Sequence, residues 1–471
     1  MNKNLKYKRL ISISFLLAVA LLLSGCSGLL PRSQYTRPEV SLPQQWQTES
    51  TTGTTVATSE KWWQDFNDPI LNDLIERALK ANNNLAAATV RVRRAQLTAK
   101  QTDTNLTPTV SVGANSSYRL DLNNHVDNKS SGATGTASYE LDLWGKLASA
   151  RDGSQWEAAA TESDRQSTAL ALIGTVATSY WQIAYLNERI TTVEASIAYA
   201  EKILDLTEVK YQAGSVSALD NVQAQQTVAS QKAQLTQLQQ QRTEARNALA
   251  ILFDQAPENK MPELQSLPDN PLSKVDAGLP ASLLAQRPDL QAAEQRLRKY
   301  LANIDNTRAS FYPSLTLTGT LGTSSTSLTD VLRNPYTLLG AGLTLPFIQW
   351  KTMELNVAIA KADYEEAVVN FRQTLYSALS DVENALSART NYAEENKQLT
   401  ESLALALRAE QLVEVRYRAG STGLQSWLDA QENRREAERA LAIVRLAQFK
   451  NCLALYQSFG GSMKGALSRS K

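Results

Sequence analysis

The 471-residue sequence predicts a mainly α-helical, internally duplicated protein with a small β part. The heptapeptides VKYQAGS (209–215) and VRYRAGS (415–421) lie 206 residues apart, which marks a repeated unit of about 205 residues. Each copy also shows the same order of patterns: a helical stretch, two short segments of period two, a very long helical stretch, a sharp turn and a helical return.

Residues 1–25 have the pattern of a bacterial secretory signal. Three lysines and one arginine among residues 3–9 precede a 13-residue apolar run, 11–23, which is too short to span a bilayer. The sequence LSGC (23–26) resembles the lipobox of bacterial lipoproteins, and this resemblance implies that Cys26 becomes the acylated first residue. An ordinary signal peptide with an incidental cysteine is the alternative. Ser27 resembles the residue found there in lipoproteins sorted to the outer membrane.

Loss of the signal would change the formal net charge from +1 to −3, because four basic residues leave with it. No polybasic tract then remains to bind nucleic acid. A lipidated Cys26 also leaves Cys452 as a single thiol, which cannot form an intramolecular disulfide. We expect Cys452 to be a small buried residue on the last helix.

Residues 26–65 are predicted to be a lipid anchor and an extended arm that needs no core. The stretch 31–60 is rich in Ser, Thr, Gln and Pro and has no apolar periodicity. The first repeat, 66–270, opens with a helix, since Asp68 and Pro69 are a favourable N-cap and N1 pair. The helical pattern continues to about residue 105.

Four segments of about ten residues alternate apolar and polar side chains, as half-buried strands do. They form two predicted β-hairpins, 109–143 and 314–347, with polar loops at 121–134 and 322–336. Their apolar positions are Val110, Val112, Ala114, Tyr118 and Leu120; Ala137, Tyr139, Leu141 and Leu143; Leu315, Leu317 and Leu321; and Leu339, Ala341, Leu343, Leu345 and Phe347.

Each hairpin leads into a helical stretch of 67 or 68 residues, 145–211 and 350–417, which would be roughly 100 Å long. Gly214 and Gly420 then supply the residue that tolerates positive φ where a helix reverses. The predicted helical hairpins therefore cover 145–254 in the first repeat and 350–459 in the second, 271–471, which ends in a short tail.

Four strands cannot close a sheet, and open strand edges are not tolerated in hydrocarbon. Ten-residue alternating strands suit a membrane barrel, whose strand number starts at about eight, so two or three chains would have to associate. The polar face would then line a lumen. A soluble strand pair is the alternative for either hairpin alone, but the duplication, the signal and the long helices favour the barrel.

Several separated motifs together resemble the TolC-type outer-membrane factors of bacterial efflux and type I secretion, in particular the lipoprotein branch that includes OprM. The likeness covers nearly all of the chain after residue 26. The motifs are FNDP (66–69), ELDLWGK (140–146), GLP (278–280) with QRPD (286–289), ASFYPSL (309–315) and the two Tyr-x-Ala-Gly turns.

This resemblance implies a homotrimer in which twelve strands form one barrel in outer-membrane lipid and the helices form a coiled periplasmic tube. It also implies a passive duct, an inner-membrane pump, most often of the resistance-nodulation type, and a periplasmic adaptor that docks at the two helical tips. The docking positions that it implies are Tyr211, Gly214 and Ser215 in the first tip and Tyr417, Gly420 and Ser421 in the second.

In the OprM branch, a ring of aspartates and a second, usually apolar, ring close the periplasmic aperture. The resemblance places these rings at Asp429 and at Gln425, which departs from the apolar type. Three Asp429 carboxylates around an axis would repel one another and favour cations at the mouth. A solvated helix residue is the alternative for Asp429, and Asp220 in the first repeat is a weaker gate candidate.

Enzymatic chemistry finds no support in the sequence. His125 is the one histidine, so HExxH and Cys/His zinc sites are impossible, and no nucleophile-elbow, Walker A or dinucleotide motif occurs. We expect neither a catalytic residue nor a metal or cofactor, apart from the lipid on Cys26. The charge-rich stretch 432–439 is expected to be a solvated helix face rather than a binding site.

Three functions fit this sequence. An exit duct for small molecules is the first, a duct for type I protein secretion is the second, and a non-conducting coiled-coil lipoprotein stalk is the third. Lipidation and the likeness to the OprM branch favour the first.

Overall fold

The computed structural model describes residues 31–48, 61–123, 125, 127–257, 261–268 and 286–461. Cys26 and the motif at 278–280 lie outside these residues. The chain divides into two compact units. The first contains the residues up to Val40, Arg91–Glu162 and Ala292–Arg372, and the second contains Ser41–Val90, Ser163–Gln291 and Gln373–Lys471.

The described elements follow one another in the same order in each repeat. The first repeat contains α1 (Pro69–Ala81), α2 (Asn83–Asp103), β1 (Thr109–Leu120), β2 (Asp127–Leu141), α3 (Lys146–Gln212) and α4 (Ala218–Ile251). The second contains α5 (Pro288–Ala309), β3 (Ser314–Ser325), β4 (Pro335–Thr344), α6 (Trp350–Arg418) and α7 (Leu424–Ser458). The two long helices, α3 and α6, have 67 and 69 residues.

Helix α1 begins where the sequence predicts. The Asp68 carboxylate accepts hydrogen bonds from the backbone N–H groups of Ile70 (2.9 Å) and Leu71 (3.0 Å), so it satisfies donors that the helix itself cannot. The hydroxyl of Tyr180 donates to its second oxygen at 3.0 Å. Burial, and then the nearby Asp68 charge, raise the pKa of Tyr180, and this bond ties α1 to α3.

The helical stretch predicted to about residue 105 consists of two helices rather than one. Asn82 interrupts it with an extended backbone (φ −67°, ψ 125°). Its side chain is buried. Asn82 Oδ1 accepts a hydrogen bond from Leu85 N (3.1 Å), and Asn82 Nδ2 donates one to Leu252 O (3.0 Å). Asn82 therefore caps α2 while holding it to the end of α4, a long-range contact that helical periodicity does not reveal.

The strands form one antiparallel sheet in the order β1-β2-β3-β4. The loops are shorter than predicted, because β2 begins at Asp127 and β3 continues to Ser325. The Ser- and Gly-rich ends of these strands have weak β propensity, but they pair along their whole length, for example Ser131 with both Ser116 and Ser325. Backbone pairing on both sides of β2 outweighs the propensity of its residues.

The register places nearly all the apolar residues of the four strands on one face. Val110 pairs with Ala137, Ala137 with Gly319 and Gly319 with Leu339, and paired residues point to the same side of a sheet. Within the chain this face is open, since Val112 is 84% exposed. Its other apolar members are Ala114, Tyr118, Leu120, Ala133, Tyr139, Leu141, Leu315, Leu317, Leu321, Ala341 and Leu343.

The opposite face is mainly Ser, Thr, Asn and Gly. Thr136 and Thr320 sit side by side on it, with their hydroxyl oxygens 3.3 Å apart. The exceptions are Arg119 on β1, Glu140 on β2, and the apolar Tyr336 and Leu338 on β4. The outer edges of β1 and β4 have no partner among the described residues.

The described part of the arm, 31–48, has neither helix nor strand, but the expectation that it needs no core is wrong. In the first unit, Ser33 bonds Asp305 through its N–H (2.8 Å) and its hydroxyl (2.7 Å). The Arg298 guanidinium lies between the rings of Tyr35 and Trp156, at 4.6 and 4.9 Å. Burial, and then Glu294, raise the pKa of Tyr35 to about 12.

The core of the second unit is built around aromatic side chains. Trp62 stacks on Tyr456 with ring centroids 5.0 Å apart, and Trp181 packs on Phe449 at 5.2 Å. Among the described residues, one helix, Lys146–Gln212, is long and apolar enough to cross a membrane by length and composition. In its most apolar window 67% of the residues are buried within the chain, as in a core helix.

Candidate functional site: the helical tips and the aperture residues

The first helical tip connects α3 to α4 through a short turn. Gly214 has a φ of +71° and no atom within 4 Å of the place where a Cβ would be. The N–H and the hydroxyl of Ser215 both donate to Lys210 O at 2.9 Å. These bonds close the carboxyl end of α3 in the way that glycine-terminated helices usually end.

The second tip repeats this turn between α6 and α7. Gly420 has a φ of +73° and is equally open. Ser421 donates to Arg416 O from its N–H (2.9 Å) and its hydroxyl (3.0 Å). The duplication read from the sequence therefore extends to individual hydrogen bonds.

The two return helices begin differently. Ser217 and Asp220 form a capping box at the start of α4: the Ser217 hydroxyl accepts from Asp220 N at 3.2 Å, and Asp220 Oδ2 accepts from Ser217 N at 2.9 Å. Helix α7 has Gly423 at the same position, without a side-chain cap. Asp220 thus has a clear structural task in the first tip.

The two tip tyrosines also differ. Tyr211 is 40% exposed, whereas Tyr417 is 4% exposed. The Tyr417 ring packs on Trp427 with centroids 5.0 Å apart, and Lys210 Nζ lies over the Tyr417 ring, 4.4 Å from its centroid. The expectation that Tyr417 offers a docking contact needs correction, because its side chain is in the core of the tip; Gly420 and Ser421 remain accessible.

Trp427 lies at the centre of this core, and no motif in the sequence points to it. Its ring also meets Tyr199 edge-on at 6.2 Å. In the first repeat the residue 206 positions earlier is Asn221, whose amide bonds Glu208 instead. A comparison of the two repeats position by position could have revealed this difference. The buried cluster consists of Ile203, Ala224, Tyr417, Leu424, Trp427 and Leu428.

Asp429 and Gln425 lie on the other face of α7. Both are exposed, whereas their neighbours Leu424 and Leu428 are buried. Gln425 Nε2 donates to Asp429 Oδ1 at 2.6 Å, so the two predicted gate positions form one polar unit on the open side of the helix. Among the described residues, Asp220 instead bonds Ser217.

Residues 432–439 are only in part the solvated face that the sequence predicts: Glu432, Asn433, Glu436 and Arg439 are exposed. The side chain of Arg434 is 14% exposed and pairs with Glu410 of α6 at 2.5 Å and with Glu438 at 2.6 Å. Arg435 is 11% exposed and pairs with Glu432. Arg434 and Arg435 are largely covered because α7 packs here against other helices of its own unit, which a one-helix pattern cannot show.

Tyr199 adds a titratable group to this region. Burial, and then Glu414 and Glu410, raise its pKa to about 12. The Tyr199 ring belongs to α3 and both glutamates to α6, so these helices are linked close to the tips.

The remaining chemistry-bearing residues do not converge. No group of three or more potential metal ligands occurs within the described residues. His125 is exposed with a φ of 54°. Cys452 is buried, and burial raises its pKa to about 12.

Comparison with known proteins places this geometry in a family. The family model "Outer membrane efflux protein" matches residues 74–253 and 279–461, one half of the duplication each. The pyoverdine export outer membrane protein OpmQ of Pseudomonas putida is 33% identical over 95% of this chain and 96% of its own length. The cation efflux system protein CusC of Escherichia coli is 28% identical over 94% of this chain and 98% of its own.

Solved structures agree. The Campylobacter jejuni CmeC outer membrane channel has a TM-score of 0.85 at 25% identity and covers 92% of this chain and 94% of its own. The open state of the Neisseria gonorrhoeae MtrE channel has a TM-score of 0.80 at 30% identity and covers 92% of this chain and 98% of its own. The predicted fold class, a trimeric outer-membrane barrel with a periplasmic helical tube, is confirmed. The chain belongs to the outer membrane efflux protein family, the outer-membrane channels of tripartite efflux systems.

Proposed function

We propose that this chain, as a lipid-anchored homotrimer, is the passive exit duct for small molecules that a resistance-nodulation pump delivers through a periplasmic adaptor. The pump supplies the energy, and the duct supplies a path across the outer membrane with an aperture at Asp429 and Gln425.

The strand register is the observation that carries this proposal. One face of the sheet carries nearly all the apolar side chains of the four strands, the other is mainly Ser, Thr and Gly, and β1 and β4 leave their outer edges free. Edges of this kind are tolerated in hydrocarbon only when a barrel closes. Three copies supply twelve strands, with lipid against the apolar face and water against the polar face.

The aperture residues suit a cation-favouring mouth. Asp429 is exposed on α7 and is held by Gln425. In a trimer the three carboxylates would face a common axis and raise the local concentration of cations. Gln425 in place of an apolar side chain makes this layer hydrophilic, so closure depends on how near the three helices approach.

The adaptor would dock at the exposed parts of the tips. Apolar side chains stand in solvent next to the first turn: Val209 is 68% exposed, Leu219 63% and Val222 57%. Together with Tyr211 and the open glycines they form a surface that a helical partner could cover. Tyr417 supports the second tip from within.

The lipid anchor is tested by labelling. We expect the chain to incorporate radioactive palmitate, and Cys26→Ser to abolish both the label and the fractionation of the chain with outer membranes in its mature form. Cys452→Ser is the matched control, since Cys452 is buried on α7, and it should label like the natural chain. Label retained in Cys26→Ser would contradict the anchor.

The names of relatives differ in cargo, from pyoverdine and toluene to cations. "Toxin and drug export protein A" of Aggregatibacter actinomycetemcomitans is 31% identical over 85% of this chain. Because its name includes toxin export, a duct for type I protein secretion remains the second candidate. Because the pump selects the cargo, the duct proposal holds for small molecules with the substrate left open.

The decisive experiment is planar-bilayer recording of the purified trimer together with a drug-tolerance assay. We expect discrete cation-selective steps, and loss of tolerance to small toxic compounds when the chain is removed from its cell. A protein that gives no conductance steps under any condition, or cells that lose only a secreted polypeptide, would overturn the proposal.

A further inference from the structure

Helix α7 has a stripe of buried and partly buried residues that changes from apolar to polar and back along its length. Its members are spaced four and three residues apart, the pattern of a coiled-coil seam. The first two are apolar, the next three are polar, and the seam then returns to alanine. The residues are Leu424, Leu428, Gln431, Arg435, Glu438 and Ala442.

The polar layers are buried at Gln431 and partly buried at Arg435 and Glu438, and their hydrogen bonds are only partly satisfied. Gln431 is 0% exposed, and neither its Nε2 nor its Oε1 has a hydrogen-bond partner. Glu438 bonds Arg434 through Oε1 at 2.6 Å, while its Oε2 is buried without a partner. Buried polar atoms in natural proteins almost always have a partner, either protein or ordered water.

A small cavity lies beside these layers, between α3, α4 and α7. It has room for one water molecule (about 10 Å³), and its wall includes Arg189, Gln234, Arg435 and Glu438. Arg189, on α3, is 5% exposed and makes no hydrogen bond or ion pair with any residue of the described chain. An unpaired guanidinium and an unpaired carboxylate oxygen thus face the same water-sized space.

The charges around the cavity decide what it can hold. Arg435 and Arg439 each pair with a glutamate of their own helix. Arg434 serves two glutamates, Glu410 and Glu438, which leaves one surplus negative charge. Arg189 supplies one surplus positive charge. The positive and negative charges around the cavity are therefore equal in number, and a bound anion would add an uncompensated charge. A neutral molecule that accepts a hydrogen bond from Arg189 and donates one to Glu438 satisfies both groups.

We propose that one internal water molecule bridges the Arg189 guanidinium and Glu438 Oε2, and that this bridge fixes the register of α7 against α3. A polar layer inside an apolar seam specifies register, because any slip leaves its members buried without partners. Arg189 and Glu438 are therefore positioning residues for the aperture.

The step from register to aperture rests on the proposed function. Asp429 lies nine residues before Glu438 on the same helix, about 13 Å away. A slip of one heptad would move Asp429 by about 10 Å along the axis, out of the plane that the three carboxylates share. The water bridge holds Asp429 at its level without touching the pore.

The test is a double-variant cycle on the purified trimer with three readouts: thermal midpoint, leak conductance in planar bilayers, and electron density in the cavity. Arg189→Met removes the cation, and Glu438→Gln keeps an acceptor for Arg434 but replaces one oxygen by an N–H donor. We expect each single variant to raise leak about tenfold, the effect of 1.4 kcal/mol, and the double variant to leak no more than either single one.

Glu436→Gln is the matched control. Glu436 is a surface partner of Arg439 on the same helix, 56% exposed, and its replacement should leave leak and midpoint as in the natural chain. In the natural trimer, density for one water should lie within hydrogen-bond distance of both Arg189 and Glu438.

Three results would overturn the inference. The first is an empty cavity or a direct Arg189–Glu438 ion pair, and the second is additive effects of the two substitutions. The third is a lowered thermal midpoint with unchanged leak, because the two residues would then stabilise the fold without positioning the aperture. Failure of the proposed function can be distinguished from failure of this inference. A trimer that never conducts still allows the electron density in the cavity and the thermal midpoints of the four proteins in the cycle to be measured.

Discussion

Asp429→Ala is expected to raise the resting conductance of the trimer several-fold and to lower its preference for cations. In the proposed trimer, truncation removes three heavy atoms from each of three side chains at the narrow mouth, so the aperture would widen. It also removes the ring of charge: two unit charges 4 Å apart interact by about 1 kcal/mol in water, which corresponds to a cation preference of roughly fivefold. Single-channel recording with a salt gradient measures both quantities.

Asp429→Asn separates size from charge. Asn has nearly the same volume and can still bond Gln425, so the conductance should stay near that of the natural trimer while the cation preference falls. Equal conductance and equal selectivity in Asp429→Ala and the natural protein would show that the mouth lies elsewhere.

Gln425 and Asp220 complete this comparison. Gln425→Leu introduces an apolar layer one turn from Asp429 and is expected to reduce the resting conductance.

Asp220 is the weaker gate candidate, and its carboxylate caps α4 through Ser217. The model of a gate at Asp429 requires Asp220→Ala to act mainly on the stability of the first tip.

Much of this architecture could be predicted from the sequence because it depends on local patterns. Period-two alternation places β1 and β4, the Asp68-Pro69 pair places the start of α1, and Gly214 and Gly420 place the turns. Each of these features is decided within a few residues, by side-chain alternation, by a cap or by a positive φ.

The features that the sequence did not reveal depend on contacts between distant segments. Arg434 looks like a solvated residue until Glu410 of α6 is seen beside it. Tyr417 looks like an exposed tip residue until Trp427 covers it. The arm looked independent, although Ser33 bonds Asp305, 272 residues away. A pattern along one helix gives its buried stripe but not its partners.

The two tips share a turn but differ in how they are held, and this difference yields the largest expected change in stability. Trp427 is 2% exposed and contacts Tyr417 and Tyr199. Trp427→Ala should lower the stability of the second tip by about 3–5 kcal/mol, the usual cost of deleting a buried large aromatic side chain. Asn221→Ala is the matched change in the first repeat and should cost about 1 kcal/mol or less, since it removes one partly exposed hydrogen bond to Glu208.

Hydrogen exchange resolved by peptide is the appropriate measurement, because unfolding of a trimeric membrane protein is not a two-state reaction. A loss of 3–5 kcal/mol that is confined to the tip raises the local opening population by more than a hundredfold, so amides around residues 413–431 should exchange faster while those of the sheet do not. If Trp427→Ala and Asn221→Ala accelerated exchange equally, the Tyr417–Trp427 core would not be what distinguishes the second tip. The burial of Tyr417 would then need another explanation, and only the exposed turn of the second tip would remain a candidate for adaptor docking.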